Sequence, residues 1–504
     1  MDTELVYTYA DDSACCATFE NLLKWFNLLI ATGPKFGYFV EPDKSFLVVH
    51  PSFVEQAKEF FKDTNLNIVS GQRFLGGFIG GDEDTEKWLE KKITLWTRAI
   101  SKVAEAAKNF PQSAFTAFTK SLQNEWLFLQ RVLDGYDHLF SLLKESIRSE
   151  FLPSLFGLEL TELEKDFFCR PASLAGLGIN DPVKLNDIQG IISKEATFVL
   201  SQAIVSGNVL DLNHHLSCIN EAKKLKDDFD KELKKETEDL LSRFTSDKQR
   251  IIQRKLDYKS SGWLTVIPKE DNFFEMNADE FRDALALRYG RTPHNMPGFC
   301  DADGEFFDVN HALNCPRGGL VYGRHNETRD LNCDLLEKAG LKQVKCEPVI
   351  TETDENGENG LRADWGVRGF WESQKMALFD VCILNPDAPS LKTKTLESIF
   401  ETRKKIKKNT YSEAAKLKRA TFTPFIATCD AALDVEAEKY LKRLAVHLSK
   451  RWKSSYSQTV GWLRARTQIC ILRSVSLCIR GTRTKWRGAG VEDSAAIPFF
   501  HFDC

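Results

Sequence analysis

The chain has 504 residues, 42% hydrophobic and 28% charged, and its 68 Lys and Arg against 72 Asp and Glu leave a net charge of −4. That balance suits a soluble globular chain with material for two to four domains. No apolar run approaches a membrane span, the start lacks a basic-then-apolar signal, and 13 cysteines follow no framework spacing. These features argue against a membrane, secreted or disulfide-scaffold protein and for an intracellular address, nuclear or cytoplasmic. The net charge hides an asymmetry: Arg403 to Arg419 and Lys450 to Arg487 are rich in Lys and Arg, whereas acids crowd Glu352 to Glu358. Such basic segments suit local contact with phosphates, and equally a solvated helix face.

The first predicted elements lie in "LVYTYADDSACC", residues 5–16. Val6, Tyr7 and Tyr9 favour strand and Ala14 to Cys16 resume one, so Asp11 and Asp12 fall at a hairpin tip. A solvated Asp-Asp turn is one reading. The other is a Mg²⁺ site, because carboxylates on a rigid turn bind that ion and two such ions clamp a phosphoryl transfer. Apolar residues at helical spacing follow from Phe19 to Ile30, ending at Gly33-Pro34. "EPDKSFLVV" is a turn feeding a strand, with Lys44 just before it, and "GQRFLGGFIGG" is a tight hairpin.

Strand, Asp-Asp, strand, helix, turn with Lys, strand and hairpin: this order resembles the second half of a reverse transcriptase palm. The resemblance implies that Asp11 binds metal with Asp12 beside it. It also implies that Lys44 protonates the leaving pyrophosphate and that the Leu-Gly hairpin grips a primer. A reverse transcriptase further needs fingers and another metal-binding aspartate upstream, and only a handful of residues precede Tyr9. The expectation is therefore that this chain alone does not polymerise DNA, being a fragment of a longer polyprotein that holds the missing half, or a decayed copy.

From Glu86 to Phe156 wide apolar stripes oppose Lys and Glu, the pattern of amphipathic helices. After a palm this order resembles a helical thumb that tracks a template–primer duplex, with Trp88, Trp96, Trp126 and Phe128 read as core. "RPASLAGLGINDP" is a turn-rich boundary, and the charge-balanced run from Asn220 to Phe244 reads as a solvated helical connector.

A new unit opens near Trp263, where Asn277 is placed to cap a helix with Glu280 in the capping-box position. In "FCDADGEFFDVNHALNCPRGG", Cys300, His311 and Cys315 offer three candidate zinc ligands, His311 and Cys315 spaced to face one ion. In the zinc knuckles this stretch resembles, a second cysteine follows the first, and Asp303 stands there instead. The alternative is buried cysteines and a capping histidine without Zn²⁺. A helix follows in "RHNETRDLNCDLLEKAG". Three strand candidates come next: "KQVKCEPVI", "LRADWGVRGFW" with Asp364, and "KMALFDVCILNP" with Asp380. Acids inside apolar strands are costly unless paired or metal-bound.

Helix, strand, strand with Asp, strand with Asp resembles the core of PD-(D/E)xK nucleases, which implies Mg²⁺ (or Mn²⁺) held by Asp364 and Asp380. The lysine usual two positions beyond the second acid is replaced by Cys382. In the restriction-like endonucleases of non-LTR retrotransposons the lysine has moved to a later helix ahead of a tyrosine. "ETRKKIKKNTYSEAAKLKRATFTPF", read as one helical run, fits that pattern. By this resemblance Lys407 or Lys408 serves the attacking water, and Lys404 or Tyr411 the scissile phosphate. Glu401 is displaced from the usual glutamate, and Glu347 and His325 are further candidates, a third acid and a phosphate contact. A basic helix merely touching phosphates is the alternative. The basic tail after Lys450 reads as helical, with Trp462 and Leu463 on an apolar stripe and Arg480 and Arg483 as phosphate contacts or solvated surface.

The expected fold is a multidomain α+β or α/β chain. Its parts are a partial palm (1–82), helical thumb (83–182), charged connector (183–262), zinc-knuckle-like segment (263–319), PD-(D/E)xK-like nuclease core (320–487) and tail (488–504). The resemblance as a whole is to the C-terminal part of a non-LTR retrotransposon polyprotein. It implies DNA and RNA as partners, as target DNA and template–primer duplex, and metal-dependent DNA nicking. The competing expectation is a decayed or co-opted copy that only binds nucleic acid.

Overall fold

The computed structural model describes residues 5–9, 12–133, 135–352 and 360–484, with the backbone alone for 5–9 and 12. The fold mixes many helices with small sheets, and among the described residues no helix is long and apolar enough to cross a membrane. The chain divides into two compact units. Met1–Ala107, Ala117–Ser154 and Leu160–Leu240 form one; Lys108–Thr116, Leu155–Glu159 and Leu241–Cys504 form the other.

In the first unit, β1 (Leu5–Tyr9) and β2 (Asp12–Cys16) pair antiparallel with Tyr9 opposite Asp12. Asp11 lies outside the described residues, as does the side chain of Asp12. The next helix runs Phe19–Thr32, and Pro34 then opens a short 3-10 turn. β3 (Phe46–Val48) pairs parallel with β4 (Asn67–Val69), and β5 (Gly71–Phe74) antiparallel with β6 (Gly77–Gly80). Leu75 (φ 46°) and Gly76 (φ 84°) make the two-residue turn of that last hairpin. Among the described residues these are three separate two-stranded ladders. The strands are short and their apolar side chains meet helices: Leu47 clusters with Ala57 and Phe61 and is covered by Phe19, Leu22 and Leu23.

The long helix Asp82–Asn109 buries Leu89, Ile93, Trp96, Ile100 and Ala104, the i, i+3, i+4 stripe expected of it. Trp96 and Trp126 are both buried and meet at 5.9 Å between ring centroids. Trp88 stacks on Phe78 of β6 (5.1 Å), whereas Phe128 is 44% exposed and lies over Gly76. The 170–182 segment is a turn ending in a cap, with Asp181 accepting from the Val183 and Lys184 amides (3.0 and 3.3 Å) at the start of helix Pro182–Ser206. Helix Leu212–Ser242 is largely exposed, as its charge balance implies.

The second unit is built on α1 (Leu320–Lys338), β7 (Lys345–Cys346), β8 (Trp365–Arg368), β9 (Met376–Leu384), α2 (Leu396–Leu417), β10 (Ala420–Thr428), α3 (Val435–Trp452) and α4 (Tyr456–Arg480). The sheet order is β10-β9-β8-β7. β7, β8 and β9 form an antiparallel meander, and α2 crosses over so that β10 joins β9 in parallel. One expectation is corrected here: the helical run read through Phe425 stops at Leu417, and a strand begins at Ala420. Arg419 takes φ 54°, and Thr421, Phe422, Thr423, Phe425 and Ile426 are β-branched or aromatic residues that favour the pleat.

The strand period of two sorts the side chains. Trp365 and Phe379 stack at 5.4 Å on one face with Tyr440 of α3. On the other face Leu378 packs with Ala415 and Tyr411 of α2, and Cys382 and Leu384 with Ile399 and Phe400. Helix starts are capped as the sequence suggests: Asn277 and Glu280 make the reciprocal capping box (2.9 Å each way), and Thr395 accepts from the Ser398 amide (3.3 Å) at α2. Helix Ser246–Asp257, which the sequence reading grouped with the connector, is tied into this unit by buried charge. Arg254 donates to Asp430 (2.7 Å) and Asp387 (2.7 Å), and Lys255 pairs with Asp430.

Candidate active site and metal centre

Asp364 and Asp380 lie close together. Asp364 directly precedes Trp365, which opposes Phe379 at the end of the β8–β9 ladder, and its charge acts on both Asp380 and Tyr411. The Asp364 amide donates to the Phe379 carbonyl (2.9 Å). Each carboxylate is held. Val381 N–H donates to Asp364 Oδ2 (2.5 Å), and His325 Nε2 of α1 lies 2.8 Å from Asp364 Oδ1. Lys407 Nζ of α2 lies 2.5 Å from Asp380 Oδ2, an ion pair out of line for an aligned hydrogen bond. Asp380 is only 4% exposed. Burial raises its pKa above the ordinary 3.8, Lys407 opposes that, and the charge of Asp364 adds to it.

The spacing along α2 explains why these groups meet. Ile399 and Phe400 anchor its start and Ala414 and Ala415 its end against the sheet. Lys407 and Tyr411, one turn apart between those anchors, fall on the same side and form a polar window opposite Asp380. The Tyr411 ring stacks on Phe422 (4.8 Å) and lies under the Lys407 ammonium (5.9 Å). Burial, then the nearby Asp380 charge, push its phenol well above the ordinary 10.0, so it stays a proton donor.

The other candidates are engaged elsewhere. Lys404 pairs with Glu401 (2.5 Å) and reaches buried Asp434 (3.4 Å), and Lys408 pairs with Glu436 (2.6 Å). Both reach toward the start of α3. Glu347 is held by Arg329, and Cys382 lies in the apolar cluster of Ile399 and Phe400. Lys44 is 77% exposed at the side chain and pairs with Glu41. Arg480 is bound to Asp283 (2.6 and 2.8 Å). Arg483 is buried and donates to the Ala312 carbonyl (3.1 Å), so neither is the solvated or phosphate-facing group the sequence suggested.

Cys300, Asp303, His311 and Cys315 converge, with one ligand atom from each all within 4.8 Å of one another. Cys300 and Gly304 close a turn (3.0 Å), and Asp308 caps the helix Val309–Asn314 that carries His311 by accepting from the His311 amide (2.7 Å). Asp303 Oδ2 lies 3.6 Å from His311 Nε2 and 3.8 Å from Cys315 Sγ. Tetrahedral ligands at about 2.0–2.3 Å from zinc stand about 3.3–3.8 Å apart, so the spacing fits. His311 Nε2 is buried without a hydrogen-bond partner, an orphan that a metal would satisfy. The knuckle is fastened to the end of α4. Asp301 accepts from Thr482 Oγ1 (2.6 Å) and the Arg483 amide (2.8 Å), and the Arg483 guanidinium covers the Phe307 ring (4.6 Å).

No protein-family model matches the chain, and no curated protein matches it. His325, expected as a phosphate contact, is seated on Asp364. Asp434 was not singled out at all. Its signal was its position just before an amphipathic run, where an aspartate caps a helix; it accepts from the Glu436 amide (2.9 Å).

Proposed function

We propose that the second unit is a divalent-cation-dependent nuclease that nicks DNA, in a chain that is the C-terminal part of a non-LTR retrotransposon polyprotein. One observation carries the reading: an acid on β9 and another just before β8 lie close together, and a lysine one turn from a tyrosine on the crossover helix pairs with the first. The order helix, three antiparallel strands, crossover helix and parallel strand supports the PD-(D/E)xK comparison. The carboxylate oxygens suit Mg²⁺ or Mn²⁺, which would be held by Asp364 and Asp380 and would offset charge on the scissile phosphate. Lys407 is placed to orient a water for attack, and Tyr411 to donate to a phosphate oxygen. His325 acts through Asp364, fixing how that carboxylate is turned. In the same reading the cysteine knuckle holds a structural Zn²⁺, and the first unit is a partial palm and thumb that contacts template–primer duplex without polymerising.

The test is nicking of supercoiled plasmid with Mg²⁺ or Mn²⁺. The wild-type chain is expected to convert plasmid to the open circle, and Asp380→Ala and Asp364→Ala to leave it supercoiled. Absence of nicking by wild type with either ion overturns the reading. A second reading, a binding protein without catalysis, is favoured by one observation. Among the described residues no third acid joins the pair, because Glu347 and Glu401 are turned to Arg329 and Lys404.

A further inference from the structure

Away from the acid pair and the knuckle, the second unit holds a cavity of about 520 Å³, within the range of small-ligand sites. Its walls come from the 3-10 turn Glu270–Asn272 with Phe273, the end of α1, the end of α3 and the start of α4. Two of its aromatics are accessible: Trp452 is 41% exposed and Phe273 36%. Trp462 braces Trp452 edge-on (5.1 Å, 90°) and is itself fixed by donating Nε1–H to Asn272 Oδ1 (3.2 Å), which leaves the Asn272 NH₂ to face a ligand. Phe273 has φ 53°, a left-handed conformation that a bulky residue rarely adopts and that places its ring in the wall.

Two cations bracket this ring, Lys338 at 5.6 Å and Arg466 at 4.9 Å from the centroid. They differ in one respect. Lys338 is neutralised by Asp334 (2.8 Å), whereas Arg466, half-buried on α4, has no ion pair or hydrogen bond among the described residues. Burial lowers its pKa, with Cys470, Asp334 and Glu327 opposing and Arg473 adding, so the cavity wall holds a partly desolvated guanidinium. A planar cation beside an open indole face suits a phosphate joined to a flat ring. Asp271, also in the wall, disfavours a purely anionic ligand and can accept from an exocyclic amino group.

We infer that this cavity binds one nucleotide of a single strand, its base stacked on Trp452 and its phosphate on Arg466, with Phe273 holding the guanidinium in place. The inference rests on the nucleic-acid reading of this unit but not on its chemistry. It is therefore tested without added Mg²⁺ or Mn²⁺ in the full-length Asp380→Asn chain, where nicking is not required. Calorimetric titration with dAMP is expected to show saturable binding. Deoxyadenosine should bind about tenfold or more weakly, and inorganic phosphate should not compete at the same concentration. Trp452→Ala, at an exposed position, and Arg466→Gln should each weaken dAMP about tenfold or more, with unchanged circular dichroism. No saturable binding of dAMP, competition by phosphate alone, or an affinity in both variants unchanged from the parent chain would overturn the proposal. A chain that binds dAMP but whose wild type never nicks leaves this site standing and removes the nuclease.

Discussion

Lys407 and Lys408 are neighbours in sequence and serve different acids. Successive residues on a helix point about 100° apart. Lys407 therefore reaches Asp380 while Lys408 reaches Glu436 at the start of α3. Lys407→Gln is expected to lower plasmid nicking by at least about a hundredfold, the scale of a lost proton-handling group. Lys408→Gln removes a partly exposed ion pair and should leave the rate within about fivefold. Equal losses in the two variants would make the helix a phosphate contact only. Asp301 gives a pH-dependent expectation. The Thr482 hydroxyl first, and then the Arg483 and Thr484 amides, hold its carboxyl down to about 2 from the ordinary 3.8. A carboxyl with a depressed folded pKa stabilises fully above its unfolded value and loses that contribution as pH falls through the folded one. The difference in melting temperature between wild type and Asp301→Ala should thus be full above pH 4 and shrink toward pH 2; a pH-independent difference would assign the effect to packing.

At the scale of elements, the buried cluster that fastens helix Ser246–Asp257 makes the strongest stability prediction. Burial alone would raise the Asp430 carboxyl, but the charges of Arg254 and Lys255 outweigh it and hold it far below the usual carboxylate range. Asp430→Asn leaves two buried cations with one fewer negative charge between them, a change expected to cost about 3–5 kcal/mol. Urea unfolding followed by circular dichroism measures it, and a loss below about 1 kcal/mol would mean that Asp387 alone compensates both cations. This cluster was not legible in the sequence, because its cations lie 133 to 176 residues from the acids they pair with and nothing local marks them as partners. Local features were legible. The capping box at Asn277, the Phe74-Leu75-Gly76 hairpin and the acids of β8 and β9 each follow from short-range chemistry. Strand β10 was masked by the lysines that precede it, although its Thr and Phe residues carried the signal. The choice between Lys407 and Lys408 needed the helix phase, which only the packing of Ile399 and Ala415 on the sheet sets.

At the scale of the whole molecule, the division into two compact units allows them to unfold in separate steps, and the cysteine knuckle belongs to the second alone. Without metal, His311 Nε2 is buried with no hydrogen-bond partner, and burial raises the Cys300 thiol above its ordinary value. A bound Zn²⁺ takes the thiolates and the imidazole, so its binding energy adds to folding energy. The effect should spread beyond the knuckle, since Asp301 and Arg483 couple it to the end of α4, whose side chains fill the core of the unit. Loss of about 2–3 kcal/mol in a unit of this size lowers its melting point by roughly 5–10 °C. Calorimetry of the full chain should therefore show two transitions, of which a strong chelator moves one and leaves the other. Asp303→Cys completes a three-cysteine, one-histidine set and should raise the chelator-sensitive transition and tighten the metal. A chain isolated without zinc, whose two transitions ignore both chelator and added metal, would show that hydrogen bonds through Asp303 close this turn unaided.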